Sequence, residues 1–261
     1  HIDFEISDSL FERELLLVNR ISKAASYPKS SNSLYGYAND FLGKCIIVFS
    51  RGPNETLFVK MKWYQDFSKD SSENGLYHSV NKSNFPAIIA SFKIKTYNPS
   101  SSGVVIDVTD YINEDSDLFG FGKDKQLFGV GSFHRDKSYV RSIECFPHNI
   151  EIRTVKTYAA VGGTVGVPGA PTTKTYELNS SLLLLPREIM KPRIYDERVG
   201  YFVTYRTDFD VNPQRVENVQ SILKWRLEPC EDDLDLYKLG QLVEPDRKST
   251  RLNSSHPYRS R

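Results

Sequence analysis

Histidine stands at positions 1, 78, 134, 148 and 256. A zinc hydrolase gathers ligands by placing two histidines four residues apart on one helical face, so that both rings reach one ion. No two histidines here lie within four residues of each other, and His-Glu-x-x-His does not occur. They read as isolated surface or hydrogen-bonded side chains, and no metal ligand is assigned. The acidic run Asn113, Glu114, Asp115 and Asp117 has the composition of a calcium loop, but the sixth position, where such a loop needs glycine for its sharp turn, is Leu118. A solvated loop is expected instead. Gly120 and Gly122, then Gly129 and Gly131, lack a third glycine in register and a Gly-Lys-Ser/Thr ending, so they read as turn glycines between short β segments rather than a phosphate cradle. Gly-x-Ser-x-Gly is absent, and Cys45 and Cys145 have no acid–base partner nearby in sequence. Cys230 lies among Glu228, Glu231 and Asp232, which disfavour a thiolate and hence a zinc-blocking thiol. The cysteines, odd in number and widely spaced, form neither a disulfide framework nor a metal knuckle. Three buried free thiols are expected, with one bridge and a free thiol as the alternative. No catalytic, cofactor-binding or metal residue is assigned from these patterns.

One stretch mixes residue types that suit recognition. Between Pro192 and Asp210, Arg193, Asp196, Arg198, Asp208 and Asp210 are interleaved with Tyr195, Tyr201, Phe202 and Phe209. Aromatics anchor interfaces and paired charges set register across them, so this stretch is the candidate interface. A more pointed version has Asp208 or Asp210 reach a zinc ion on another domain as a blocking ligand. Tyr195, Tyr201, Phe202, Tyr205 and Phe209 also suit a peptide- or glycan-binding face. Aromatics alternating along a strand more often line a core, and that is the expectation for them.

The elements that would position these residues are mostly strands. An apolar run over 44–50, a turn at Arg51-Gly52-Pro53-Asn54 and alternation through Leu57, Val59, Met61 and Trp63 predict a hairpin. In 87–97, Ile88, Phe92 and Ile94 are expected on one face and Lys93 and Lys95 on the other; Val104, Ile106 and Val108 come after a Ser-rich turn. Residues 149–158 and 174–185 predict a long hairpin whose Gly- and Pro-rich tip is 159–173. Alternation also runs through 199–209 and 217–228. Helices are few: one turn near Ser9–Glu12, another over 110–114, and the best candidate over 135–145, with Asp136 as cap and Tyr139, Val140 and Ile143 on one side. Many strands without βα alternation predict a mainly β fold, an antiparallel sheet, sandwich or open barrel.

A β-rich, non-catalytic domain is expected over 1–190 and a connector or interface segment over 191–245. Residues 246–261 begin with Asp-Arg-Lys-Ser-Thr-Arg-Leu-Asn-Ser-Ser-His, which resembles a translated sequencing adapter, and are expected to be non-native and to form no packed element. Removing that tail's net +4 from the chain's +1 leaves −3 on residues 1–245. No basic patch then supports a nucleic-acid partner. No apolar run approaches the ~18 residues of a membrane span, and no secretory leader is visible.

Several strings together resemble one family: Leu15-Leu16-Leu17-Val18-Asn19-Arg20-Ile21-Ser22-Lys23, Val105-Ile106-Asp107-Val108-Thr109-Asp110, Phe146-Pro147-His148-Asn149-Ile150-Glu151-Ile152, Tyr176-Glu177-Leu178-Asn179-Ser180-Ser181, Pro192-Arg193-Ile194-Tyr195-Asp196-Glu197-Arg198-Val199-Gly200-Tyr201-Phe202, and Trp225-Arg226-Leu227-Glu228-Pro229. In that order they are similar to the N-terminal region, of unknown function, of large bacterial metallopeptidases of metzincin type. The resemblance implies a zinc-bearing catalytic domain after Val243-Glu244-Pro245, with a His-Glu-x-x-His-x-x-Gly-x-x-His motif; none of those catalytic residues lies in this chain, so none is carried over. It implies that this region packs on or covers that domain, its partner, or presents protein, peptide or glycan to it. It also implies export to the periplasm or cell envelope.

Overall fold

The computed structural model describes residues 1–26, 34–64, 66–68, 70–72, 76–99, 102–161, 171–188, 190–212 and 215–224. Cys230, the hairpin-tip glycines 162, 163 and 166, the strand residues past 224, the connector beyond them and the tail at 246–261 lie outside this set. The described residues are mainly β, with few short helices. The chain divides into two compact units: His1–Lys62 with Ala87–Leu184, and Trp63–Pro86 with Leu185–Arg261.

The first unit is built on β1 (Asp3–Ser7), β2 (Leu15–Lys23), β3 (Phe41–Gly52), β4 (Thr56–Lys62), β6 (Ala87–Tyr97), β7 (Gly103–Asp107), β8 (Val130–Phe133), β9 (Tyr139–Phe146), β10 (Asn149–Ala160) and β11 (Thr173–Leu184). They form one antiparallel sheet in the order β1-β7-β6-β4-β3-β2-β11-β10-β8, and β9 also pairs with β10. The sheet curls into a half-barrel. The hairpins expected at 44–63 and 149–185 are β3–β4 and β10–β11. Asn54 and Glu55, at the first of these turns, both have positive φ, the left-handed geometry that matches a tight hairpin to strand twist.

The inward face carries two apolar clusters. One joins Leu15, Leu17, Ile47, Phe49, Leu57, Val59, Val104, Ile106, Ile152 and Leu182. The other joins Ile21, Leu42, Phe128, Val130, Tyr158, Tyr176 and Leu178. The short helix α2 (Thr109–Asn113), expected from sequence, buries Ile112 in the first.

Two local readings are corrected, for one reason. Residues 135–145 are not a helix: a 3-10 turn over Arg135–Lys137 leads into β9, and Asp136 caps nothing. Val140 pairs with Thr154 and Ile143 with Ile152, with a bulge between them at Arg141. The extra residue turns Val140 and Ile143, three apart, onto the same face, and this mimics helical spacing. In β6 the bulge falls at Ile89, between Val59↔Ala90 and Lys60↔Ile88. Ala90, Phe92 and Ile94 therefore face the core, while Ile88 is exposed. The Tyr111 hydroxyl donates to the carbonyl of the bulged Ile89 at 3.2 Å.

The thiols depart from expectation in part. Cys45 is half-buried, and burial pushes its pKa up to about 11, but Cys145 is exposed near the end of β9.

The second unit contains β5 (Asp66–Phe67), α1 (Tyr77–Ser83), β12 (Val203–Asp208) and β13 (Glu217–Ile222). Its sheet has the order β13-β12-β5, with β12 antiparallel to β13 and parallel to β5.

Candidate functional site

The stretch 192–210 lies within the second unit and flanks β13 on both sides. Ile194 forms an antiparallel bridge with Ser221, the amide of Tyr195 donates to the Gln220 carbonyl at 2.9 Å, and the amide of Ile222 donates to the Arg193 carbonyl at 2.8 Å. The segment around Ile194 therefore extends the sheet beyond β13. The chain then turns at Asp196–Val199 and returns as β12. In the hairpin, Thr204, Arg206 and Asp208 oppose Ser221, Val219 and Glu217, whereas Val203, Tyr205 and Thr207 oppose Ile222, Gln220 and Asn218. Directly opposed residues share a face. The first face is the more buried, with Asp208, Val219 and Ser221 inside it.

The carboxylates expected to reach across an interface are engaged at home. Asp208 is 2 % exposed, and its Oδ2 lies 2.9 Å from the Arg206 guanidinium. Its Oδ1 accepts from the Asp210 amide at 3.0 Å. Asp210 in turn accepts from the Ser68 hydroxyl at 2.7 Å and the Asp70 amide at 3.2 Å. Two loops of the unit are thus joined through a carboxylate. Arg198 binds Asp196 through two side-chain nitrogens and its own amide, and these bonds hold the Asp196 carboxyl below the usual carboxylate range. That pair is exposed and sets the turn rather than adding much stability. Arg193 is exposed; Tyr195 and Phe209 are half-buried.

The aromatics contradict the expectation of a core. Tyr201 is 56 % exposed, Phe202 77 % and Tyr205 65 %, and Ile194 and Val199 are also exposed. A period-two aromatic pattern shows only that alternate residues share a face, not which face meets solvent. The stretch therefore combines a frame of locally paired charges with solvent-facing aromatic and aliphatic side chains.

A second group of polar residues, in the first unit, is not evident from motif or spacing. Lys156 on β10 is 1 % exposed, and its ammonium donates to the main-chain carbonyls of Glu114 and Phe119. It also lies 5.7 Å from the centre of the Phe133 ring. Tyr158 donates to Asp115 Oδ1 at 2.8 Å, and Lys125 pairs with the same carboxylate. From β2, Asn19 Nδ2 donates to the Leu118 carbonyl at 2.6 Å. The acidic loop expected to be solvated is therefore solvated only at Glu114 and Asp117; Asp115 turns inward and Leu118–Phe121 are buried. The available signal was parity, since Lys156 has the same parity as Ile150, Ile152 and Tyr158. Burial drives the Lys156 pKa down to about 8 against the opposing pull of Asp115 and Glu114. Burial and the Asp115 charge push the Tyr158 phenol up.

Among the described residues no three His, Cys, Asp or Glu side chains converge as a metal site, and no helix is long and apolar enough to cross a membrane. The chain belongs to the family described as a domain of unknown function, DUF5117, whose model matches residues 39–230. That match covers most of the strands of the first unit and all of 192–210. No curated protein and no solved structure matches the chain.

Proposed function

We propose that this chain is a non-catalytic, structural or propeptide-like domain of a zinc-dependent metallopeptidase, and that its second unit docks on the catalytic domain of that enzyme. The observation that carries the docking is the exposure of Tyr201, Phe202 and Tyr205 on a segment braced by the Arg198–Asp196 and Arg206–Asp208 pairs. Solvent-facing aromatics on a braced backbone present large apolar area with little side-chain entropy to lose, which suits an interface. The carboxylates brace the surface; with Asp208 buried against Arg206, a zinc-blocking role would first have to break that pair. The peptidase half of the reading rests on the sequence resemblance, which also supports metzincin-type zinc chemistry in the partner domain and export to the cell envelope. Any zinc then belongs to the catalytic domain. Because aromatics facing solvent also stack on peptides and sugars, the rival is a peptide- or glycan-binding module attached to the same enzyme.

Two polypeptides test this, one ending at Pro245 and one continuing into the catalytic domain. Hydrogen exchange across 192–210 is expected to slow in the longer one, and Tyr201→Ala with Phe202→Ala is expected to abolish the slowing. Equal exchange in both would overturn the docking. Slowing caused by added peptide or oligosaccharide, and not by the catalytic domain, would establish the rival.

A further inference from the structure

The polar group around Lys156 lies in the other unit and takes no part in the proposed docking. Its position is unusual for a lysine. The side chain enters the half-barrel from β10, between Thr154 and Tyr158, which are also buried. There it meets main chain rather than a single carboxylate. The loop it holds spans both apolar clusters: Leu118 and Phe119 belong to the first, Phe121 to the second. The remaining charges facing this point are Asp115, which is paired with Lys125, and Glu114, which is paired with Arg135.

We propose that Lys156 is the internal cation of this loop: its ammonium takes the place that a dissociable metal ion holds in acidic loops, and it fixes residues 114–121 across the two cores. Three features support this. The loop supplies two main-chain carbonyls and a nearby inward carboxylate, the oxygen types that hard cations select. The cation is tethered, so the loop is organised without depending on ion concentration. Asn19 anchors the intervening Leu118 carbonyl, so consecutive carbonyls along the loop are held by inward polar side chains from two strands. A neutral Lys156 amine keeps two N–H donors for the same two carbonyls, so alkaline pH does not by itself release the loop.

Truncation tests the assignment by rescue. Lys156→Ala removes the part of the side chain that n-propylammonium reproduces. In the full chain, Lys156→Ala is expected to lower amide protection across 118–121 by about tenfold or more. Millimolar n-propylammonium is expected to restore it, while tetramethylammonium at equal ionic strength does not and the wild type responds to neither. Wild-type protection in the variant, or a loss that no amine reverses, would overturn the proposal. If Lys156→Ala does not fold, Lys156→Met decides: similar volume without the donor should keep β2–β3 protected while 118–121 exchanges faster. Unchanged protection there would equally overturn it.

Discussion

At the scale of single residues, the informative groups are buried and titratable. Lys156, with an ordinary pKa of 10.5, is lowered to about 8 by burial. Between those values the unfolded chain holds a proton that the folded chain has released, so Lys156 makes stability rise with pH from about 8 upward. Cys45, Tyr111 and Tyr176 act in the opposite sense. Burial raises Cys45 from 9.0 to about 11 and the two phenols from 10.0 to about 12. The folded state then holds the extra proton, so stability falls above about 9 through the thiol and above about 10 through the phenols. Urea unfolding between pH 7 and 11 is therefore expected to show stability climbing from 8 to 9, levelling to 10 and declining beyond. Lys156→Met should abolish the climb and leave the decline; a climb that persists in that variant would mean another group causes it. On the acid side, burial opposes ionisation of Glu177, but hydrogen bonds from Lys23 and Ser22 and the charge of Arg141 outweigh it and lower its pKa. Its contribution is present above the unfolded carboxyl pKa and is lost as pH falls through the lower folded value. Glu177→Gln should flatten the acid limb of the same curve.

The strands show how closely neighbouring backbones approach and what that tolerates. Gly103 opens β7 opposite Ser7 of β1, and a Cβ there would lie 2.8 Å from the Ile6 carbonyl oxygen. That contact is with backbone, which cannot swing aside. Gly103→Ala is expected to push β1 away from β7 and cost about 1–3 kcal/mol, the usual penalty of overpacking. Urea unfolding measures it, and hydrogen exchange should show the loss first in β1. Gly52 differs, because the atoms nearest a Cβ there belong to the Phe58 ring, a side chain able to move. The bulges at Arg141 and Ile89 belong to this scale too. Each inserts one residue, reverses the parity of the residues after it and bends the strand. In β9 this explains why Val140 and Ile143 read as a helix in sequence yet both reach the core from a strand.

For the whole molecule, the half-barrel buries one aromatic cluster, Phe121, Phe128, Tyr158 and Tyr176, whereas three aromatics on and beside β12 of the smaller sheet are exposed. In the first unit Phe121 packs edge to face on Tyr158 and on Tyr176, with ring centres 5.2 and 5.0 Å away. Tyr201, Phe202 and Tyr205 in the second face solvent. Replacing these three together with Ala is accordingly expected to move the melting temperature little, because exposed side chains contribute about 0.5 kcal/mol or less each to stability. Calorimetry checks this, and a large drop would show that the aromatics serve the fold and not a partner. A polypeptide ending at Pro245 is expected neither to bind zinc tightly nor to cleave casein, since tight binding needs three or four convergent ligands. Nanomolar affinity by titration calorimetry, or cleavage stopped by a chelator, would restore an enzymatic reading of this domain.

Period-two alternation is a local property of the chain, and it was enough to determine a mainly β fold. It placed the hairpins of β3–β4 and β10–β11 and marked Val104, Ile106, Ile152 and Tyr158 as members of apolar-rich strands. The types and spacing of histidines and cysteines showed, likewise from sequence alone, that no zinc motif is written here. Alternation does not carry register, because each bulge resets it, and so the sequence pattern puts Ile88 on one face with Phe92 and Ile94 and reads 135–145 as a helix. Nor does it say which face is covered. That depends on contacts between residues far apart in sequence, as when Lys156 finds carbonyls 42 and 37 residues earlier. Only the tertiary structure joined Trp63–Pro86 to the unit containing 192–210, turned Asp208 inward onto Arg206 and left Tyr201, Phe202 and Tyr205 in water. The physical reason is the same in each case: burial is decided by what packs against a residue, and its neighbours in sequence supply only part of that surface.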